Sequence, residues 1–480
     1  VDLDAFRELL TPRGLRALAD AERAVAEGAD AVAAAVTLRR TYPAGLTGAA
    51  LTQARLRSRA TAKFGADAGV MYFTPDGLEQ ATRAEVAAHR AGRFGPGDRV
   101  ADACCGIGGD LLALARAGCR VDAVDRDPLT VEVARANAAA LGLSALVTVT
   151  VGDAEAVEPE RHDALFADPA RRTTGRRVFD PMSYSPPWPD VLALAARARG
   201  ACLKVAPGVP YDVLPADAET EWVSWRGEVK EAAVWTGVLA TPGVHRRATM
   251  LSSRPPGLSS ERPGLSSERP GLSSERPGPS SERPGPSSER PGPSSERPGP
   301  SSERPGPSSE PPKPSSEQPG PPAAAPAPST SSTSSTPPAP PSALSLTPDS
   351  ALGDPPVGPV GRYLYEPDGA AIRAHLVAEV AASVEGRLLD ARIAYITGDG
   401  PAVTPWASRY EVLETLPFSL KRLRAALRAR DIGTVTLKKR GSALDIERLR
   451  KDLRLSGKNS GVVALTRIGD HPYALICDPA

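Results

Sequence analysis

Val100-Ala-Asp-Ala-Cys-Cys-Gly-Ile-Gly-Gly-Asp110, followed by Arg120-Val-Asp-Ala-Val-Asp-Arg-Asp127, decides how this chain folds. It reads as a buried strand, a glycine turn, a helix and a second strand that ends in acid. A nucleotide-handling crevice in an α/β sheet is built this way. Dinucleotide fingerprints run G-x-G-x-x-G, and their third glycine lets the helix pack close to the strand. Gly106 and Gly108 are in place, joined by Gly109, but the third position holds Leu111. That substitution weakens a nicotinamide reading.

The same residues resemble motif I of the class I S-adenosylmethionine-dependent methyltransferases, acid-x-x-x-G-x-G-x, with a second acid at the end of the next strand. Asp102 with Gly106 and Gly108 matches the first element, and Asp125 the second. Glycines let backbone approach a ligand where a side chain would collide. A carboxylate some twenty residues on can accept both ribose hydroxyl protons. The resemblance also implies that Asp153, after Gly152, sits near the adenine amine, which needs a hydrogen-bond acceptor. The alternative is that each glycine and acid simply shapes a turn. Their mutual register favours the cofactor, S-adenosyl-L-methionine.

The surrounding pattern agrees. Between 98 and 251, short apolar strands (99–105, 120–125, 146–152, 163–167, 201–205) alternate with helices at 109–117, 128–141 and 189–199. This is the signature of a parallel sheet covered on both faces. Extended segments follow at 221–225, 229–235 and 245–251, the first two split as in a hairpin by Arg226-Gly227-Glu228. A parallel sheet finished by an antiparallel hairpin is a second likeness to the methyltransferase family, and the expected fold is a Rossmann-like α/β sheet.

Residues 1–97 are Ala-, Leu-, Arg- and Glu-rich with helical spacing, as in Leu15, Leu18, Ala21 and Val25. They predict a helical bundle with a short extended piece at 70–73. Thr74-Pro75 then opens a further helix, threonine as cap and proline in the first turn. Lys63-Phe64, Tyr72-Phe73-Thr74-Pro75-Asp76 and Ala87-Ala88-His89 resemble the segment before motif I in RNA cap trimethylguanosine synthases. That likeness would bring Phe64, Tyr72 and Phe73 to the pocket. The commoner fate of such aromatics is a helical core.

Residues 252–358 change character. Arg-Pro-Gly-Leu/Pro-Ser-Ser-Glu recurs every seven residues from Arg262, then decays into Pro/Ala/Ser/Thr-rich sequence. Proline and glycine in each unit exclude a coiled coil, and a near-neutral polyampholyte cannot bury a core. A disordered linker is expected. From 359 to 480 order returns as an α+β domain: a helix at 370–383, strand-like 391–396 and 410–416, a basic helix at 419–429, a strand at 432–438, a helix at 445–453, and strands at 461–468 and 472–477. Tyr365-Glu-Pro-Asp-Gly369, Gly433-Thr-Val-Thr-Leu-Lys-Lys-Arg-Gly441 and Gly461-Val-Val-Ala-Leu-Thr-Arg-Ile468 resemble the "THUMP-like" domain of bacterial methyltransferases. THUMP domains are associated with RNA, so the resemblance implies an RNA partner. Between Lys421 and Lys458 there are thirteen Lys/Arg against four Asp/Glu, although the whole chain is only +1. Lys438, Lys439 and Arg440, with Lys421, Arg422 and Arg424, would supply phosphate contacts. A solvated charged face is the plainer reading of such residues.

The methyl acceptor is harder to read. The fourth strand ends in Asp168-Pro169-Ala170-Arg171-Arg172. Nucleic-acid amino methyltransferases carry Asp/Asn/Ser-Pro-Pro-aromatic here, the acid or amide accepting hydrogen bonds from the target amine. Asp168 and Pro169 match. Ala170 and Arg171 depart, so a base-stacking ring is not supported there. Arg171 and Arg172 suit phosphate or another anion, or simply surface acids. Ser185-Pro186-Pro187-Trp188 contains the sought aromatic, yet it opens a helix, where proline is explained by geometry.

Five cysteines without C-x-x-C spacing, no long apolar run and no basic-then-apolar leader point to a reducing, cytoplasmic setting and no metal framework. The expected function is S-adenosylmethionine-dependent methylation of RNA. The alternatives are a small-molecule or protein acceptor, or a non-catalytic RNA binder on a methyltransferase scaffold.

Overall fold

The computed structural model describes residues 2–170, 172–173, 176–177, 181–252 and 342–479. The seven-residue repeats, Arg171 and the Arg172 side chain lie outside the described residues.

The N-terminal region is helical: α1 (Leu3–Leu9), α2 (Pro12–Ala26), α3 (Ala31–Leu38), α4 (Ala44–Phe64), α5 (Pro75–Gln80) and α6 (Ala84–Ala91). Side-chain caps from Asp2, Thr11, Asp30 and Thr74 satisfy N–H groups of the first turns. The buried face of α2 holds Leu18 and Ala21 as expected, joined by Gly14 and Ala17, while Val25 is half-buried and Leu15 is 46% exposed. α2 meets α1 closely at Gly14, where a Cβ would lie 2.2 Å from the Glu8 carbonyl oxygen. Residues 70–73 are not a strand. Two side-chain amides stand in for a neighbouring strand: Gln53 bonds the Phe73 N–H and carbonyl at 3.0 and 2.6 Å, and Asn137 does the same for Tyr72.

The central sheet begins with β1 (Arg99–Asp102), α7 (Gly109–Arg116), β2 (Arg120–Asp125), α8 (Pro128–Ala140), β3 (Val147–Val151) and β4 (Ala164–Ala167). A two-residue pair, β5 (Arg172–Thr173) with β6 (Arg176–Arg177), precedes α9 (Trp188–Arg197) and β7 (Gly200–Val205). Then come β8 (Glu219–Trp225), β9 (Glu228–Gly237), β10 (Arg246–Ser252) and β11 (Ser342–Leu346). The strand order is β11-β10-β8-β9-β7-β4-β1-β2-β3. From β3 to β7 the strands are parallel, and β9 inserts antiparallel between β7 and β8. The β8–β9 turn places Arg226 and Gly227 at φ +54° and +76°, as a two-residue hairpin whose twist matches its strands requires. β10 runs parallel to β8, and β11 pairs antiparallel with β10, so the sheet continues past the hairpin. Ser342–Leu346 fall within the stretch expected to be linker. Their alternation of half-buried and exposed residues suits an edge strand.

The C-terminal region contains β12 (Tyr363–Pro367), α10 (Gly369–Arg373), α11 (Val377–Ser383), β13 (Arg387–Asp390), β14 (Ile393–Gly398), β15 (Ala407–Pro417), α12 (Leu420–Ala429), β16 (Ile432–Lys439), α13 (Ile446–Leu453), β17 (Asn459–Ile468) and β18 (His471–Pro479). Its sheet has the order β13-β14-β12-β15-β18-β17-β16 and only β16–β17 pair in parallel. The single helix expected over 370–383 is broken in two near His375, whose φ is +54°. Tyr365, Ala370, Leu376 and Val380 share one buried cluster with Trp222, Val234 and Ala248 of the central sheet. The approach there is close, since a Cβ at Gly369 would fall 2.6 Å from Val229 Cγ2. Among the described residues no helix is long and apolar enough to cross a membrane.

Candidate cofactor and acceptor site

The site grows out of the turn between β1 and α7. Gly106 and Gly108 have φ of +54° and +92°, a region that costs any side-chain-bearing residue. Gly108 is the residue before the first turn of α7, and Leu111, three residues on, is fully buried beneath it. That leaves the turn open above. A cavity of about 520 Å³ lies there, lined by the glycine turn, the carboxyl ends of β2 and β4, and residues 74–77 and 79–82 of the N-terminal region. The size falls in the range of small-ligand pockets.

Asp125, Asp153, Asp168 and Pro169 line this cavity, and Asp102 ends the strand that leads into its glycine turn. Asp102 is 0% exposed. Its Oδ1 accepts the Cys104 N–H at 3.2 Å, while Oδ2 is buried with no hydrogen-bond partner among the described residues. Burial pushes its carboxyl well above the usual range, and neighbouring Asp110 adds to that. Asp125 accepts the Gly106 N–H on one oxygen and the Asp127 N–H on the other, both at 3.0 Å. Burial raises its carboxyl and those two bonds oppose the rise. Each oxygen keeps acceptor capacity. Asp153 is paired to Arg126 at 3.2 Å, with about half of its side chain exposed.

This set of acceptors fits an S-adenosylmethionine-shaped ligand. The buried Asp102 Oδ2, without a partner among the described residues, suits a cationic or N–H group such as an amino-acid ammonium would supply. The two Asp125 oxygens suit a pair of vicinal hydroxyls.

Asp168 lies at the end of β4 with a partner that sequence reasoning missed. Lys204, on β7 and 3% exposed, donates its ammonium to Asp168 Oδ2 and to Thr82 Oγ1, the latter at 2.6 Å. Thr82 in turn donates to Asp110 Oδ2 at 2.7 Å, and Asp110 is held by Arg90, which also grips Glu231. Burial alone would raise the Asp110 carboxyl, but Arg90 and Lys204 hold it below its usual value. One signal was available: a lysine inside Ala201-Cys-Leu-Lys-Val205, a strand expected to be buried on both faces, must have a charged partner.

Other expected contacts are elsewhere. Phe64 and Tyr72 do not line the cavity; both are in the N-terminal core, Phe64 against Phe73 and Tyr72 edge-on to Phe6. Helical packing takes both rings, which are only 6% and 8% exposed within the N-terminal core. Trp188 is likewise buried, its indole N–H bonded to the Val213 carbonyl at 2.9 Å. Lys438 and Arg440 turn inward to Glu366 of β12 at 3.0 and 3.4 Å, and Lys439 bonds the Leu444 carbonyl at 3.0 Å.

A methyltransferase-domain family matches residues 100–169, a THUMP domain-like family matches 407–479, and a domain of unknown function matches 2–60. An uncharacterized S-adenosylmethionine-dependent methyltransferase of Mycobacterium tuberculosis (strain CDC 1551 / Oshkosh) is 32% identical over 438 residues, 88% of this chain and 95% of that protein. A 23S rRNA (uracil(1939)-C(5))-methyltransferase of Shewanella sp. (strain ANA-3) is 46% identical over 81 residues, but these are only 16% of this chain and 18% of that protein. Among solved structures, a proposed methyltransferase of Porphyromonas gingivalis W83 shares the fold with a TM-score of 0.60 at 18% identity, over 92% of both chains. The chain belongs to the S-adenosylmethionine-dependent methyltransferases, in a form that carries a THUMP-like domain at its C-terminal end.

Proposed function

We propose that this methyltransferase modifies RNA at a nitrogen atom, with the THUMP-like region helping to hold the substrate. The observation that carries the RNA reading is the THUMP domain-like match over 407–479, on a region with a local excess of positive charge. Helix α12 supports it. Lys421 and Arg422 are exposed there with no salt-bridge partner among the described residues, while Arg424 and Arg428 tie α12 to the end of α13.

The cofactor supplies an electrophilic methyl group on a sulfonium. The chain's part is to align donor and acceptor for an in-line displacement, which lowers the barrier through orientation. Asp102, Gly106, Gly108, Asp125 and Asp153 are assigned to cofactor. Asp168, beside Pro169, is assigned to the acceptor: a carboxylate accepts the N–H of an amine and orients its lone pair toward the methyl group.

The test is transfer of tritium from labelled S-adenosylmethionine to RNA from a strain lacking this gene, followed by digestion to nucleosides. A labelled nucleoside that is absent when wild-type RNA is used supports the reading. Label that appears only in protein or small molecules, or nowhere, sinks it.

A further inference from the structure

Lys204 is buried, charged and shared between two parts of the molecule. Its ammonium contacts Asp168 at the end of β4 and Thr82 in the N-terminal region, and lies 3.8 Å from Asp110 Oδ2 on α7. Hydrogen-bond directions around it are all consistent: Lys204 donates to Thr82, and Thr82 donates onward to Asp110. An ammonium so enclosed costs several kcal/mol to desolvate unless it is fully paired, and an apolar side chain would pack the strand at less expense. What the lysine does beyond packing is fix one oxygen of Asp168. Its other oxygen, Oδ1, accepts no hydrogen bond from the described residues, and the residue borders the cavity.

We propose that Lys204 is a positioning residue for methyl transfer: it holds Asp168 by one oxygen so that the other is presented to the acceptor, and Thr82 holds Lys204. This rests on the assignment of Asp168 to the acceptor. It makes Thr82 of the N-terminal region part of the reaction apparatus, through a hydroxyl that never touches the acceptor. It also favours acceptors with an N–H or O–H to donate, since a fixed carboxylate oxygen forms no comparable hydrogen bond with a C–H.

The test compares the full chain with Lys204→Met and with Thr82→Val, a milder change should the first fail to fold. Crystals of each with S-adenosylhomocysteine should show the Asp168 carboxylate displaced or rotated, most in Lys204→Met. On the labelled RNA, kcat should fall by about 10- to 100-fold while KM for S-adenosylmethionine stays within about twofold, because a small misplacement costs orientation and not cofactor contacts. The Lys204→Met/Asp168→Asn double variant should be no slower than Asp168→Asn alone. An unmoved Asp168 carboxylate, or losses that simply multiply in the double variant, overturns the proposal. Should the wild-type protein transfer nothing to RNA, the RNA reading fails, and the crystal comparison still decides the role of Lys204.

Discussion

Asn137 on α8 clasps the backbone of Tyr72 from both sides, accepting its N–H at 2.6 Å and donating to its carbonyl at 3.0 Å. The same amide donates to the Ile107 carbonyl at 2.9 Å, inside the glycine turn. One buried side chain thus joins the N-terminal bundle, the glycine turn and the helix that follows Asp125. Asn137→Leu keeps the volume and strands buried backbone groups, each costing about 1–3 kcal/mol. The expected loss is about 3 kcal/mol in urea unfolding, with weakened cofactor affinity. A loss under about 1 kcal/mol would mean that the segment is held by its apolar contacts alone.

Asp125 presents two oxygens that each already accept one backbone N–H. Removing the carboxylate with Asp125→Ala takes away charge-assisted bonds worth about 1.5–3 kcal/mol, or roughly 10- to 100-fold in Kd. Calorimetry with S-adenosylhomocysteine should show that drop while circular dichroism stays unchanged. Unaltered affinity would remove Asp125 from the site.

Asp102 should couple binding to protons. Burial pushes its carboxyl well above the usual range, so in the free protein it retains a proton to higher pH than an exposed aspartate. A cationic ammonium near the orphaned Oδ2 favours the ionised form, so binding releases that proton and affinity rises with pH. Titrations in two buffers of unlike ionisation enthalpy should give different apparent enthalpies. In Asp102→Asn the difference should vanish. Equal enthalpies for the wild-type chain would show an Asp102 already ionised.

Much of this was legible in the residues. The turn at 106–109, the acids at 102 and 125 and the alternation of strand and helix are local patterns, and local sterics and hydrogen bonding produced the local structure expected of them. What was not legible depends on residues far apart in sequence. Lys204 and Thr82 meet across 122 positions and Arg90 and Glu231 across 141. No spacing rule reports such pairs. Phe64 and Tyr72 illustrate the converse, because an aromatic motif alone does not tell a pocket wall from a core. Ser342–Leu346 became visible only when β10 offered an edge to pair with.

Acid should unfold the protein partly through Glu219. Burial by itself would raise this carboxyl, but hydrogen bonds from Arg93, Arg247 and the Thr241 N–H bring it down to about 2 from 4.5. A folded value below the unfolded one gives stability that is complete above about pH 4.5 and drains away as pH falls toward 2. Glu219→Gln should therefore lower Tm at neutral pH, and the gap to wild type should close over that acid range. A gap constant with pH would place the effect in packing and not in charge.

The proposed RNA surface can be separated from the residues that only look like it. Lys438 and Arg440 are engaged with Glu366, so replacing them breaks an internal ion-pair cluster before it touches any ligand. Lys421 and Arg422 on α12 are exposed. If α12 meets phosphate, Lys421→Gln with Arg422→Gln should weaken RNA binding and reduce the slope of log K against log salt by roughly 1 to 2, about one for each phosphate no longer neutralised. Cofactor affinity should not change, since neither residue lines the cavity. Filter binding over a salt series measures both the affinity and the slope. A slope identical to wild type would place the RNA on another face of the protein, and a protein whose binding shows no salt dependence at all would not be contacting phosphate.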